Sequence, residues 1–316
     1  MEAARPSKDH ELMLTVEPVR RDNLRQFIQY AAAYGAEHDE SYVPRAGFEP
    51  SREHPGYVLL QDGAIVGAVS LMRTPRYVQA RRGRFSFFHC IDPSGESYSL
   101  LFHAIRGHFA GLDRVYLFLP EARMAAAEAV LQLGFTVERY AHVMKIDNLS
   151  PVGVVVPEGL TLQPIRPSDR RAARRFADAV NASFAELAGH VPMHADLVRN
   201  WAEEETYLED GIAILLEGSR AVGTVGVMCD SDDRNSAEVF ALSVTKERRG
   251  QGLGRLLLRH AVCFATWRGL RPVYLSLNAE NSKALRMYLA EGFTVAQTMV
   301  CYSRGCGPEH PAIHRN

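Results

Sequence analysis

Long apolar runs, an excess of either charge and an even set of cysteines are all missing from this sequence. Its 316 residues carry 36 basic and 37 acidic side chains, a formal net charge of −1. No global basic field is present to hold nucleic acid or an anionic membrane, and neither is expected as a partner. No stretch approaches the roughly 18 to 20 apolar residues of a membrane span. The opening "MEAARPSKDHELML" lacks the apolar core of a signal peptide, so the reading is of a cytoplasmic protein. Cysteine is scarce: Cys90, Cys229, Cys263, Cys301 and Cys306 are odd in number and widely scattered. That argues against a disulfide framework and a zinc site and for reduced thiols. The 12 histidines include no H-E-x-x-H spacing, and no metal is expected.

What the sequence does contain is a repetition. "QLGFTV" at Gln132 to Val137 returns as "AEGFTV" at Ala290 to Val295, with the glycines 158 residues apart (134 to 292). "LTVEPVR" at Leu14 to Arg20 returns as "LTLQPIR" at Leu160 to Arg166, 146 apart (14 to 160), and Ala64 to Val69 resembles Arg220 to Val225, with glycines 156 apart (67 to 223). A slowly growing offset is what two copies of one fold with small loop insertions produce. At roughly 100 to 200 residues per domain the length also suggests two domains. The prolines and glycine of Asn148-Leu149-Ser150-Pro151 and Pro157-Glu158-Gly159 break the periodic pattern between the copies. The expected domains are therefore residues 1–150 and 151–316, the second ending in a short polar tail. Each half reads as a strand, helical stretches, a hairpin, a long strand, a helix, another strand and a helix ending in Gly-Phe. This order implies an α/β fold with α+β layering.

Chemistry concentrates in the second copy. The strand Glu238 to Val244 runs into "TKERRGQGLGR" at Thr245 to Arg255, and an amphipathic helix follows. Gly250, Gly252 and Gly254 leave no side chain to fill the turn, so backbone N–H groups and the positive end of the helix form an anion cradle. Arg248 and Arg249 add charge beside a bound diphosphate. The stretch is not G-x-x-x-x-G-K-[ST], and its glycine spacing departs from the dinucleotide G-x-G-x-x-G. As a bare loop it is equally a structural glycine turn.

A second motif narrows the reading. R-x-x-G-x-G at Arg249 to Gly254 and N-x-x-A-x-x-x-Y-x-x-x-G-F at Asn281 to Phe293 together resemble the GNAT acyltransferase superfamily, over about residues 160 to 303. The resemblance implies tandem domains, each a mixed, mostly antiparallel twisted sheet flanked by helices, with acetyl-CoA as acyl donor. It implies that Arg249, Gly250, Gln251, Gly252, Leu253, Gly254 and Arg255 hold the pyrophosphate. Leu242, Ser243 and Val244 would pair with the pantetheine arm, and the helix from Asn281 would flank the thioester. The expected reaction moves an acetyl group to a primary amine of a small molecule. Such an amine is protonated near neutral pH, so transfer needs a base, and the leaving thiolate needs an acid. Glu238, opening the strand at the cleft mouth, is the candidate base; its alternative is a solvated strand-end carboxylate. Tyr288 matches the family's general acid; its alternative is a core tyrosine. Asn281 either touches the cofactor or caps its helix. For the acceptor, the first helices, with Glu203, Glu204 and Glu205, offer acidic residues that a solvated helix face also explains.

In the first copy Arg123 stands at the position of Asn281 and Val130 at that of Tyr288, and a valine cannot protonate a thiolate. The turn Asp92 to Ser99 offers one glycine, no arginine and two carboxylates where the cradle belongs. This copy is expected to be a degenerate, catalytically silent GNAT-like domain. Competing readings are a non-catalytic acyl-CoA-binding or regulatory module, or acetylation of a protein N-terminus or lysine. A monomer or homodimer is expected.

Overall fold

The computed structural model describes residues 13–147, 153–186, 190–230 and 233–307. They fall into two compact units. One runs to Glu138 and resumes at Cys301; the other is Arg139–Val300. The expected cut near residue 150 lies at 148–152, outside the described residues.

The first unit is built from β1 (Leu14–Pro18), α1 (Leu24–Tyr34), β2 (Gly56–Gln61), β3 (Ala64–Met72), α2 (Pro75–Gln79), β4 (Arg82–Cys90), α3 (Gly95–Ile105), β5 (Arg114–Pro120) and α4 (Met124–Gln132). β6 (Thr136–Ile146) begins in this unit. The β2–β3 hairpin turns on Asp62-Gly63, both at positive φ (50° and 79°). That geometry matches the right-handed twist of the strands and suits an Asp-Gly pair. The strands run in the order β1-β2-β3-β4-β5, antiparallel except for the parallel pair β4–β5. Phe27 and Ala31 of α1 pack with Val58, Ala68 and Phe87 on one face.

The second unit repeats the plan with β7 (Leu160–Pro164), α5 (Arg170–Phe184), α6 (Ala195–Asn200), β8 (Ile212–Glu217), β9 (Arg220–Cys229), β10 (Ala237–Val244), α7 (Leu253–Trp267), β11 (Val273–Asn278), α8 (Ser282–Ala290) and the start of β12 (Thr294–Gly305). Its order is β6-β11-β10-β9-β8-β7, again with one parallel pair, β10–β11. Two apolar layers cover the sheet. Ala173, Phe176, Ala177 and Val180 of α5 pack with Trp201, Ile212 and Ile214 on one face. Leu253, Leu257, Leu258 and Ala261 of α7 pack with Val239, Leu275 and Tyr288 on the other. The α/β architecture is therefore the expected one, two similar units of mostly antiparallel sheet flanked by helices. The strand after each Gly-Phe does not stay with its own copy: Ala141–Ile146 of β6 pair antiparallel with β11 in the second unit, and Cys301–Gly305 of β12 belong to the first.

The repeated tetrapeptide is a helix terminator. Gly134 and Gly292 have φ of 81° and 92°. In the first copy Gly134 N–H donates to Leu131 O (2.9 Å) and Phe135 N–H to Val130 O (3.2 Å); in the second Gly292 N–H donates to Leu289 O (3.1 Å) and Phe293 N–H to Tyr288 O (3.0 Å). This is the paired capping pattern in which a left-handed residue stops the helix and the next apolar residue seals it. Both phenylalanines are buried. Among the described residues no helix is long and apolar enough to cross a membrane, and no cluster of three or more His, Cys, Asp or Glu could hold a metal ion.

Buried imidazoles make the first unit acid-sensitive. His89 lies 2.7 Å from the Tyr30 hydroxyl, stacks on Tyr34, and faces Glu37 at 3.6 Å. Burial, with His38 and Arg123 nearby, lowers its pKa to about 4, and burial lowers that of His38. Both imidazoles are neutral when folded but protonate near pH 6.5 when unfolded. Their contribution is complete above about pH 6.5 and is lost as pH falls toward 4. Thermal melts at pH 7.5, 6 and 5 should show a decline that His89→Gln makes shallower; an unchanged slope would clear His89 of this role.

Candidate functional site

The site starts from a parting of strands. β10 pairs with β11 only at Ala237↔Val273, Glu238↔Tyr274 and Val239↔Leu275, yet β10 runs on to Val244. Its register against β9 slips between Phe240 and Ser243, with Ala241 at φ 47°. The extra residue bends the strand. The bulge is held from within: the Thr224 hydroxyl lies 2.7 Å from both Ala241 O and Ser243 Oγ. Ser243 turns its side chain to Thr224 and stays in register with it on β9. On the edge that faced β11, Leu242 and Val244 have no strand partner among the described residues.

At the end of β10 the chain makes a 3-10 turn over Lys246–Arg248 and enters α7 through Gly252. Gly250 and Gly252 have φ of 79° and 78° and open space where a Cβ would stand. The helix start has no side-chain cap and no acidic residue in its first turn. Its first N–H groups, on Leu253, Gly254 and Arg255, have no intrahelical acceptors, and the positive end of the helix is not neutralised. This is a place for an anion. At Gly254 a Cβ would make ordinary contact with Met287 Sδ of α8 at 3.6 Å, so the packing tolerates a small side chain there.

The side chains of the loop are largely committed elsewhere. Arg249 donates to Val244 O (3.2 Å) and Ser183 O (2.6 Å). Arg248 pairs with Glu217 and Gln251, Lys246 with Glu186 (2.6 Å), and Glu247 with Arg220 (3.1 Å). Arg255 and Arg259 both hold Glu291 at the end of α8 (2.9 and 2.6 Å), which ties α8 to α7. Arg248 and Arg249, expected to add charge beside a diphosphate, also have these partners in the scaffold, which no local motif announces. A cavity of about 480 Å³ opens on the α5 side of the loop, lined by Asp178, Ala182, Ser183, Arg220, Lys246 and Arg249 among others.

Tyr288 joins the apolar cluster that contains Leu253 and Leu277, with Leu242 and Val244 packed against it. It is 6% exposed, and no hydrogen-bond partner for its hydroxyl is found among the described residues. Burial pushes its pKa up to about 12. Asn281 caps α8, its side chain accepting from Ala284 N–H (3.1 Å), which is the capping alternative. Glu238 is half-buried, flanked in register by Met228 and Tyr274. It alternates with Val239, so it faces the α5–α6 layer with Phe240. Phe240 was not anticipated: its ring meets Trp201 at 5.0 Å, and a Cβ on its strand partner Gly226 would stand 2.3 Å from it. A lone glycine opposite an aromatic in a strand pair was the available signal. On the acceptor side Glu204 is exposed, yet partial desolvation raises its pKa, opposed by the Thr206 hydroxyl.

The first unit shows the same parting, with β4–β5 pairing from Arg82↔Arg114 to Arg84↔Tyr116 only. The end of a side chain lies over its corresponding turn. A Cβ on Gly95 would stand 2.4 Å from Gln132 Oε1, Glu96 lies in the first turn of α3, and Arg123 pairs with Glu37 at 3.3 Å.

Gly252→Val places a branched side chain at positive φ and projects it into the open cradle, a strain of roughly 1 to 3 kcal/mol. Calorimetry is expected to give one acetyl-CoA site per chain for the parent and none for this variant. Two sites in the parent, or unchanged affinity in the variant, would rule out this cradle as the sole site.

Residues 208–295 match the family model described as "Acetyltransferase (GNAT) domain". The chain is 27% identical over 265 residues to the mycothiol acetyltransferase of Streptomyces bingchenggensis, spanning 80% of this chain and 78% of that one. Two solved structures share the fold. The GCN5-related N-acetyltransferase from Sphaerobacter thermophilus has a TM-score of 0.70 at 17% identity, over 94% of this chain and 97% of that one. A tandem GNAT protein from the clavulanic acid biosynthesis pathway has a TM-score of 0.66 at 17% identity, over 94% and 100%. Residues 208–295 thus carry a GNAT acetyltransferase domain, a family of acyltransferases that take their acetyl group from acetyl-CoA, and the chain around it is similar in fold to tandem members of that family.

Proposed function

We propose that the second unit transfers acetyl from acetyl-CoA to a primary amine of a small molecule, with Glu238 as general base and Tyr288 as general acid, and that the first unit is catalytically silent. The observation that carries this reading is the parting of β10 from β11 beyond Val239↔Leu275, which runs directly into the open glycine turn at the start of α7. A pantetheine arm laid along Leu242 to Val244 replaces the missing strand, and the diphosphate meets the N–H groups of Leu253, Gly254 and Arg255. Leu242 and Val244 contribute backbone, Ser243 fixes the bulge through Thr224, and Gly250, Gln251 and Gly252 shape the turn. Asn281 acts by capping α8, the helix that carries Tyr288. The relatives' name, mycothiol acetyltransferase, supports a small-molecule acceptor. The covered Gly95, the Arg123–Glu37 pair and Val130 support silence in the first unit.

In this mechanism Glu238, directly or through water, removes a proton from the ammonium acceptor on the α5–α6 side of the sheet. The amine attacks the thioester carbonyl, the tetrahedral intermediate collapses, and the thiolate leaves as the Tyr288 hydroxyl donates to its sulfur. With its pKa near 12, Tyr288 stays protonated across the working range, so it does not limit the rate on the basic side below about pH 11.

Tyr288→Phe removes one hydroxyl and leaves the ring in its cluster. Turnover should fall by about 10² to 10⁴ with acetyl-CoA affinity little changed; an unaltered turnover number would return Tyr288 to a packing role. Glu238→Gln preserves shape and removes basicity, so its rate should drop near neutrality and recover as pH rises toward the acceptor's own pKa. Parallel profiles with a rate within a few-fold of the parent would mark Glu238 as a bystander. Both measurements use the acceptor identified by a mass-spectrometric screen of amines with acetyl-CoA, and a screen in which no amine is acetylated would refute the proposed reaction.

A further inference from the structure

α5 ends in Ala185, a C-cap in helical conformation, with no basic residue in its last turn. The last carbonyls of a helix need donors, and its negative end favours a cation. Both needs are met from the cradle loop, more than 60 residues away in sequence. Arg249 Nη2 donates to Ser183 O at 2.6 Å while its Nε donates to Val244 O at 3.2 Å, and Lys246 Nζ reaches Glu186 Oε1 at 2.6 Å. Arg249 immediately precedes Gly250, so one planar guanidinium joins the last carbonyl of β10, the cradle loop and the end of α5.

The tie continues toward the acceptor side. Within the last turn of α5, Asn181 Nδ2 donates to Met193 O (2.7 Å) and its Oδ1 accepts from Met193 N–H (2.8 Å), with His190 Nε2 at 3.2 Å from the same oxygen. Asn181 thus replaces a strand partner for the chain leading into α6. Beyond α6, Trp201 packs edge-on against Phe240, two residues from Glu238 on the same face of β10.

We infer that Arg249 is a positioning residue that couples occupancy of the acetyl-CoA cradle to the order of the acceptor-side segment, instead of a side-chain ligand of the diphosphate. The inference rests on the cradle reading above. A diphosphate at the N–H groups of α7 immobilises the 245–252 loop. Through Arg249 the loop then holds the end of α5, and through Asn181 the 190–193 segment. The acceptor would meet an ordered wall only once the acyl donor is in place.

Hydrogen exchange of the full chain with saturating acetyl-CoA, run beside calorimetry, tests this with Arg249→Gln and Arg249→Lys. In the parent, acetyl-CoA should slow exchange at 250–257 and also at 177–186 and 190–200, by about fivefold or more. In both variants protection should persist at 250–257 and vanish at the other two segments, with affinity weakened by less than about tenfold. Lysine keeps the charge but cannot span two carbonyls, and it carries the same test should the glutamine variant unfold. A loss of affinity beyond about tenfold would make Arg249 a diphosphate ligand and overturn the inference. So would protection at 177–186 that survives in Arg249→Gln, parent-like behaviour of Arg249→Lys, or a parent protected at 250–257 alone. A parent that does not bind acetyl-CoA would overturn the cradle reading and the coupling with it, whereas the other negative outcomes leave the cradle standing.

Discussion

Everything at the site depends on one broken pairing. β10 and β11 begin as a parallel pair and separate after three residue pairs, and the bulge at Ala241 gives β10 the bend to do so. An unpaired strand edge inside a protein is unfavourable unless something satisfies its N–H and C=O groups. Here the bulge carbonyl is satisfied by the buried Thr224 hydroxyl and the Val244 carbonyl by Arg249. What stays unpaired lies where the acyl donor would add itself as a strand. The sheet is thus incomplete in its register, and in the proposed reading the acyl donor would supply the missing hydrogen bonds.

Electrostatics at the cradle comes chiefly from backbone. Lys246, Arg248 and Arg249 look in sequence like a cationic clamp, but each is engaged with a carboxylate or carbonyl of the surrounding scaffold. Several of these pairs are well exposed and contribute little stability individually. Their combined effect is geometric: they hold a glycine loop, which has no side-chain packing of its own, against β8, β9 and α5. The helix dipole and its unsatisfied N–H groups are then presented in one orientation. Preorganisation of this kind lets a flexible, glycine-rich segment bind without first being ordered at the expense of affinity.

The two copies show how one scaffold keeps or loses a site. Both part the same pair of strands and both end their last helix with Gly-Phe in the same capping pattern. In the second copy that cap sets the register of Tyr288, whose carbonyl accepts from Phe293. In the first, the equivalent carbonyl belongs to Val130, so the device survives without the phenol. The groove there is refilled from within: Gln132 covers Gly95, and His89, Glu37 and Arg123 form a polar chain. The shared fold is set by backbone and core, which both copies keep, whereas the open glycine turn is found at α7 and not at α3.

Much of this was legible in the sequence because its causes are local. The two GFTV segments, the Asp62-Gly63 hairpin turn and the glycines at 250 and 252 each specify a backbone conformation that few other residues adopt, and periodicity placed the helices around them. The family motifs added Tyr288 and the cradle by position. Three things were decided only by tertiary structure, all depending on neighbours distant in the chain. Arg249 and Arg255 find partners in Ser183 and Glu291. Phe240 occupies the space left by Gly226 on the next strand. The strands after each Gly-Phe contribute to the unit of the other copy, so the compact units and the sequence repeats have different limits. A side chain's partner, and a strand's, is chosen by what three-dimensional packing brings alongside. The local code determines only that there will be a helix end, a turn or a strand to be brought.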